Sequence, residues 1–103
     1  MNIKGTLPTL ILEMLDREPN HGYRIALQIK ARSKGVLDFK EGTLYPALHK
    51  LENEGFIESY EGAENGRKRR YYRITESGRG ALVKNREEWK EVSRAVTMIL
   101  EGA

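Results

Sequence analysis

The chain has 103 residues, of which 39% are apolar and 32% charged, a balance that excludes both a disordered chain and a membrane-spanning one. It contains no cysteine, which excludes disulfides, thiolate zinc sites and a cysteine nucleophile together. The net charge is +3, a mild excess whose meaning depends on where the basic residues lie. The length predicts one domain, and because no targeting or spanning segment is visible, we expect a cytoplasmic protein with no membrane partner.

The first predicted element is a helix near the start of the chain. Thr6 is expected to cap it, and Pro8 is expected in its first turn, where the missing N–H is harmless. Glu18-Pro19-Asn20 is expected to end it. Its apolar residues recur at helical spacing: Leu7, Leu10, Ile11, Met14 and Leu15.

A second helix is predicted after His21-Gly22, on the spacing of Tyr23, Ala26, Leu27 and Lys30. It is expected to end around Ser33-Lys34-Gly35, and a short extended link is expected over 36–39. His21 is expected to be a turn or capping residue.

The third predicted helix runs from Glu41 to Glu54 and stops at Gly55. Pro46 leaves its start open. A start near Thr43 places the proline in the first turn, whereas a start at Glu41 predicts a kink. The apolar stripe consists of Leu44, Ala47, Leu48 and Leu51.

A β-hairpin, here called the wing, is predicted next. Its strands are expected over 56–60 and 67–74, and its turn over 61–66, where Asn65-Gly66 is the strongest signal. Thr75 is expected to cap a last helix that ends near Leu100.

This order of elements predicts a mostly α fold with one hairpin, the winged helix-turn-helix arrangement. Residues 1–74 are expected to form the DNA-binding domain and residues 75–103 a C-terminal dimerisation helix, together one compact unit. In this arrangement the third helix enters a major groove and the wing lies along the flanking backbone or minor groove.

The third helix carries polar side chains away from its apolar stripe. Tyr45, His49 and Lys50 offer hydrogen-bond donors and a cation, and Thr43 lies beside Lys50. An ordinary solvated helix face explains these residues equally well.

The wing carries the densest basic cluster of the chain. Arg67, Lys68, Arg69, Arg70 and Arg73 surround two tyrosines, which suits a phosphate backbone. A charged strand edge and a lipid-binding patch remain alternatives. Strand alternation prevents all five cations from contacting one ligand.

The last helix carries a coiled-coil-like row, here called the seam: Leu82, Asn85, Trp89, Val92, Val96 and Ile99. A homodimer interface is one use for the seam, and packing back onto the first helix is another. Two copies of Trp89 near a two-fold axis could also hold a flat aromatic ligand, or Trp89 could simply fill the interface.

Nothing in the sequence indicates an enzyme. The two histidines, His21 and His49, lie on different helices without a carboxylate at metal-like spacing, and no cofactor is indicated.

Four segments together resemble the PadR family of bacterial transcriptional regulators, in its small subfamily with one C-terminal dimerisation helix. They are His21-Gly22-Tyr23-Arg24-Ile25, residues 42–52 (GTLYPALHKLE), residues 66–72 (GRKRRYY) and Thr75-Glu76-Ser77-Gly78. The resemblance implies a homodimeric repressor on a palindromic operator, and it also implies, in some members, an aromatic effector beside a tryptophan positioned like Trp89. The DNA-facing candidates that it implies are Tyr23, Thr43, Tyr45, Pro46, His49, Lys50, Arg67, Lys68, Arg69 and Arg70. The alternative is a winged-helix adaptor that uses its basic wing on an acidic protein partner.

Overall fold

The computed structural model describes residues 3–102, with side chains from residue 6 onward. It confirms a mostly α winged-helix fold with a hairpin and a long last helix. Over the described residues, the elements are α1 (Ile3–Arg17), β1 (Asn20–His21), α2 (Gly22–Arg32), α3 (Glu41–Asn53), β2 (Ile57–Glu64), β3 (Arg67–Ile74) and α4 (Glu76–Leu100). The three strands form one antiparallel sheet in the order β1-β3-β2.

The core forms around α1, because that helix is apolar on most of its circumference. Ile11 and Leu12 are completely buried, together with Ile25 from α2 and Leu48 from α3. Burial of each such side chain stabilises the fold by about 1.5–3 kcal/mol. Tyr72 of β3 and Leu82 of α4 close the same cluster.

α1 begins earlier than the sequence predicted. It starts at Ile3, so Thr6 lies inside the helix rather than at its N-cap, and Pro8 is its sixth residue, beyond the first turn. The physical reason is visible in the pattern, because Ile3 extends the spacing of Leu7 and Ile11 by one further turn.

α2 and α3 follow the predictions closely. His21 caps α2, with its side chain accepting from the backbone N–H of Arg24, which confirms the capping prediction. α3 starts at Glu41, the earlier of the two alternatives, and ends at Asn53, with Glu54 as its C-cap and Gly55 following at φ +80°. The backbone N–H of Phe56 donates to the carbonyl of Leu51 at 3.0 Å, the closing bond of a Schellman motif.

The hairpin is longer and its turn tighter than expected. β2 continues to Glu64, so the turn is Asn65-Gly66 alone, with φ values of 52° and 77°. Two residues with positive φ match the right-handed twist of the flanking strands. β1 was not predicted, because two residues are too few to carry an alternating pattern, and it adds a third strand where only a helix stop was expected.

α4 is capped by Thr75, whose hydroxyl accepts from the backbone N–H of Gly78 at 3.1 Å. Gly78 packs so closely that a Cβ there would lie 2.1 Å from the carbonyl oxygen of Phe56, which explains this glycine by packing. The first turns of α4 lie against α1, where Arg79 pairs with Asp16 and Arg86 with Glu13, both at 3.3 Å. Over the part of the chain that the structure describes, no helix combines the length and apolarity needed to cross a membrane.

Candidate nucleic-acid interface

The candidate residues of α2 and α3 lie mostly on the protein surface. Tyr23, in the first turn of α2, is 54% exposed. Pro46, His49 and Lys50 are exposed on α3, and Thr43 is half-buried. The structure therefore offers a polar face of α3 opposite its buried leucines, as a helix entering a groove requires.

Tyr45 differs from these residues, because its ring packs against the core and against α2. A Cβ at Gly22 would lie 3.0 Å from Cε1 of Tyr45, so the two helices meet closely at this point. Tyr45 was predicted to lie off the apolar stripe and away from the core, but the residue is half-buried and packs against the core, so that part of the prediction is wrong. Its ring has a packing role in addition to any contact made by its hydroxyl.

The basic cluster of the wing divides between the two faces of the hairpin, as strand alternation predicted. Lys68 and Arg70 lie on the face of β3 that carries the buried Tyr72, and Arg67 and Arg69 lie on the opposite face. A single flat ligand cannot contact all of them.

Several of these cations are already paired with acids. Arg70 donates to Glu52 of α3 at 3.1 Å, and Lys68 lies 3.6 Å from Glu61. Arg73 pairs with Glu58 at 2.9 Å. Arg67, by contrast, is exposed and forms no ion pair with any side chain that the structure describes.

Glu52 joins α3 to the wing. Its carboxylate accepts from the Ser59 hydroxyl of β2 at 2.5 Å as well as from Arg70. The Ser59 hydrogen bond, and after it the charge of Arg70, holds the pKa of Glu52 below its ordinary range. The carboxylate is therefore ionised at neutral pH and fixes the hairpin against α3.

A second link joins the end of β2 to α2. Glu64 accepts from Arg24 at 2.9 Å and lies 2.6 Å from Nε2 of the buried His21. Hydrogen bonds from Arg24, and then from His21, hold the pKa of Glu64 below its ordinary range. Sequence reasoning missed Arg24, Glu52 and Glu64, because contacts between different elements leave no local signal. Glu64 lies 40 and 43 positions from its partners Arg24 and His21, and Glu52 lies 7 and 18 positions from Ser59 and Arg70.

The seam of α4 is only partly available to a partner. Leu82 is 3% exposed and lies in the core of its own chain, so its assignment to a dimer interface is wrong. This part of α4 packs against α1, which was the alternative to a dimer interface. Further along, Trp89 is 48% exposed, Val92 and Val96 are each 42% exposed, and Ile99 is 78% exposed.

Trp89 also lines a groove of about 750 Å³ between α1, the end of α3 and α4. The groove walls include Leu10, Leu51, Phe56 and Val92. Asn85 and Lys50 line the same groove. Lys50, one of the DNA-facing candidates, therefore lies next to the seam.

Residues 11–84 match the model of the transcriptional regulator PadR-like family, and the chain therefore belongs to that family. The matched range runs from α1 into the first turns of α4, so it contains α2, α3 and the whole wing.

A named relative agrees with this assignment. Transcriptional regulator Rv3488 of Mycobacterium tuberculosis is 40% identical over 76 residues, which are 74% of this chain and 58% of that protein. The chain thus corresponds to a little over half the length of that relative.

Solved structures show the same fold over almost the whole chain. A transcriptional regulator from Clostridium thermocellum is 36% identical, with a TM-score of 0.85 over 92% of this chain and 90% of that one. A PadR family transcription regulator from Clostridium difficile R20291 is 32% identical, with a TM-score of 0.80 over 93% of this chain and 99% of that one.

Proposed function

We propose that this protein is a sequence-specific repressor that binds duplex DNA in the bacterial cytoplasm, as a homodimer on a palindromic operator. The observation that carries the proposal is the exposed polar face of α3 beside a basic wing, with the two fixed to each other through Glu52. Major grooves accept a helix of this kind, and phosphates accept the cations beside it.

Titration of the protein with duplex DNA at several salt concentrations tests this function. A DNA-binding wing predicts an affinity that falls linearly on a double logarithmic plot as salt rises, because bound cations release counterions from the phosphates. Absence of duplex binding, together with binding to an acidic protein partner, would instead support the adaptor function.

The wing is expected to supply affinity more than specificity. Replacing Arg67 and Lys68 together with Ala removes two exposed cations near the turn. Binding to all duplexes should weaken, and the salt slope should flatten by roughly one unit for each phosphate that is no longer neutralised. Fluorescence anisotropy at four or five salt concentrations measures both quantities.

The control for the wing variant is Lys84→Ala with Lys90→Ala, which removes the same charge from exposed positions of α4. That pair should leave the slope nearly unchanged. If the salt slope of the wing variant is as steep as that of the wild type, the wing does not contact the DNA phosphates.

The homodimer is proposed because α4 exposes an apolar row on a chain too small to cover it. Trp89, Val92, Val96 and Ile99 recur at alternating spacings of three and four residues. A two-fold axis would present two copies of α3 to the two halves of a palindrome, which is how paired half-sites are read. Residues 75–103 are then the dimerisation segment and residues 1–74 the DNA-binding domain.

Trp89 is proposed, as a second role, to bind a planar aromatic effector. The half-exposed indole and the apolar groove beside it provide ring contacts and burial for such a ligand. Saturable quenching of Trp89 fluorescence by planar aromatic compounds, with a parallel loss of DNA affinity, is expected, because an effector must favour a dimer with the wrong spacing of α3. Unchanged fluorescence would leave Trp89 as an interface side chain alone.

A further inference from the structure

Glu64 is an acidic residue at the tip of a basic wing. It is the last residue of β2, directly before the Asn65-Gly66 turn, and its partner across the hairpin is Arg67. Both of its carboxylate oxygens are used within the protein, Oε1 by Arg24 and Oε2 by His21. An acid beside phosphate-binding cations opposes DNA binding electrostatically, so its presence there calls for a structural reason.

His21 makes this contact specific. Its side chain is 3% exposed, and its Nδ1 accepts from the backbone N–H of Arg24 at 3.4 Å, in the N-cap of α2. A ring whose Nδ1 accepts carries its proton on Nε2, and this N–H then donates to Glu64. One imidazole thus joins the start of α2 to the end of β2.

The rings around His21 stiffen the same link. Tyr71 lies edge-on to His21, with centroids 5.5 Å apart, and Tyr60 stacks on Tyr71 at 5.7 Å. Tyr71 also covers Gly62, where a Cβ would lie 2.5 Å from its ring. The row crosses all three strands on the face opposite Tyr72.

Glu64 is the outermost of these links. β1 pairs with β3 only at Tyr71 and Tyr72, and the Glu52 link holds the hairpin at Ser59 and Arg70. Between Arg70 and the turn, the Glu64 contact is the one that joins the wing to a helix, within the residues that the structure describes. Without the Glu64 contact, the ends of β2 and β3 next to the turn would be mobile, and the wing cations would move with them.

We propose that Glu64 is a positioning residue for duplex binding, which holds the wing tip against the start of α2 through His21 and Arg24 and so fixes Arg67 and Lys68 relative to α3. This inference rests on the proposed DNA-binding function. It assigns a favourable effect on binding to an acid, which is the opposite of what charge alone predicts.

The sign of the effect gives the test. Glu64→Ala is compared with Glu61→Ala, which removes the same charge from the same strand but breaks only a 3.6 Å pair between exposed side chains. We expect Glu61→Ala to bind duplex DNA as tightly as the wild type or more tightly. We expect Glu64→Ala to bind roughly fivefold or more weakly, with a salt slope lower by about one unit although no cation was removed.

The salt slope separates positioning from a folding defect, because an unfolded fraction lowers the active concentration without changing the slope of the rest. Glu64→Gln keeps an oxygen that can accept from His21 and should bind between Glu64→Ala and the wild type. Equal gains in affinity for Glu64→Ala and Glu61→Ala would overturn the inference.

A measurement without DNA distinguishes failure of this inference from failure of the proposed function. The {¹H}–¹⁵N heteronuclear NOE of residues 62–68 should fall in Glu64→Ala and stay at the wild-type value in Glu61→Ala. If the wild type does not bind duplex DNA, the proposed function fails, while a fall of the NOE still establishes the link. An unchanged NOE in Glu64→Ala would refute the link itself.

Discussion

Replacing both Val92 and Val96 with Glu is expected to convert the protein into monomers and to abolish tight operator binding. Both valines are 42% exposed on the part of α4 that its own chain leaves uncovered. Each protomer would then bury two unpaired carboxylates in the interface, at a cost of several kcal/mol. This cost exceeds the favourable free energy of dimerisation that we expect from so short a seam. Sedimentation velocity at micromolar concentration measures the change in mass, and anisotropy measures the loss of DNA affinity.

The matched control is Val83→Glu with Met98→Glu. These two residues are also exposed apolar side chains of α4, 63% and 49% exposed, but they lie on the side away from the seam. The control variant should remain a dimer with the same added charge. A wild type that sediments as a monomer would contradict the dimer proposal, and paired reading of half-sites would fail with it.

Sequence readout is expected to depend on His49 and Lys50, the two DNA-facing candidates of α3 that are exposed and can donate hydrogen bonds. Replacement of either residue with Ala should cost about 1–3 kcal/mol on the operator and far less on random duplex DNA, because a base contact discriminates whereas a phosphate contact does not. Tyr45 is better tested as Tyr45→Phe, which keeps the ring beside Gly22 and removes only the hydroxyl.

Asn53→Ala provides the control on the same helix, since Asn53 is exposed in the last turn of α3. Asn53→Ala should change the binding free energy for the operator and for random duplex DNA by no more than a few tenths of a kcal/mol. Equal losses on operator and random DNA for His49→Ala and Lys50→Ala would assign these side chains to the phosphate backbone.

Most of the fold could be predicted from local patterns. Three features are determined by residues close together in the sequence, so a short segment is enough to predict each one. They are the apolar stripe of α3, the Asn65-Gly66 turn and the Thr75 cap. The start of α1 was predicted too late, because Thr6 and Pro8 are typical of a helix start even where the apolar spacing continues past them. β1 depends on pairing with Tyr71 and Tyr72, which no window around Asn20 contains.

The candidate site was predictable in its residue types and not in its connections. The basic cluster of the wing is visible in the sequence, but which of its cations are free depends on Glu52 of α3 and on Glu58 and Glu61 of β2. Likewise, Leu82 fits the seam by spacing, yet it is buried in its own chain because the first turns of α4 lie against α1. Both the ion pairs of the wing and the burial of Leu82 depend on tertiary packing, which residue spacing along the chain does not predict.

Selection of duplexes from a random pool by the wild-type protein tests the central claim most directly. A homodimer with one α3 in each half-site predicts enrichment of an inverted repeat whose half-sites are centred about one helical turn, roughly 34 Å, or a multiple of it apart. Enrichment should be lost when the selection is repeated with the Val92→Glu, Val96→Glu protein. A pool that stays random after repeated rounds, or one that yields a single site without two-fold symmetry, would contradict the account.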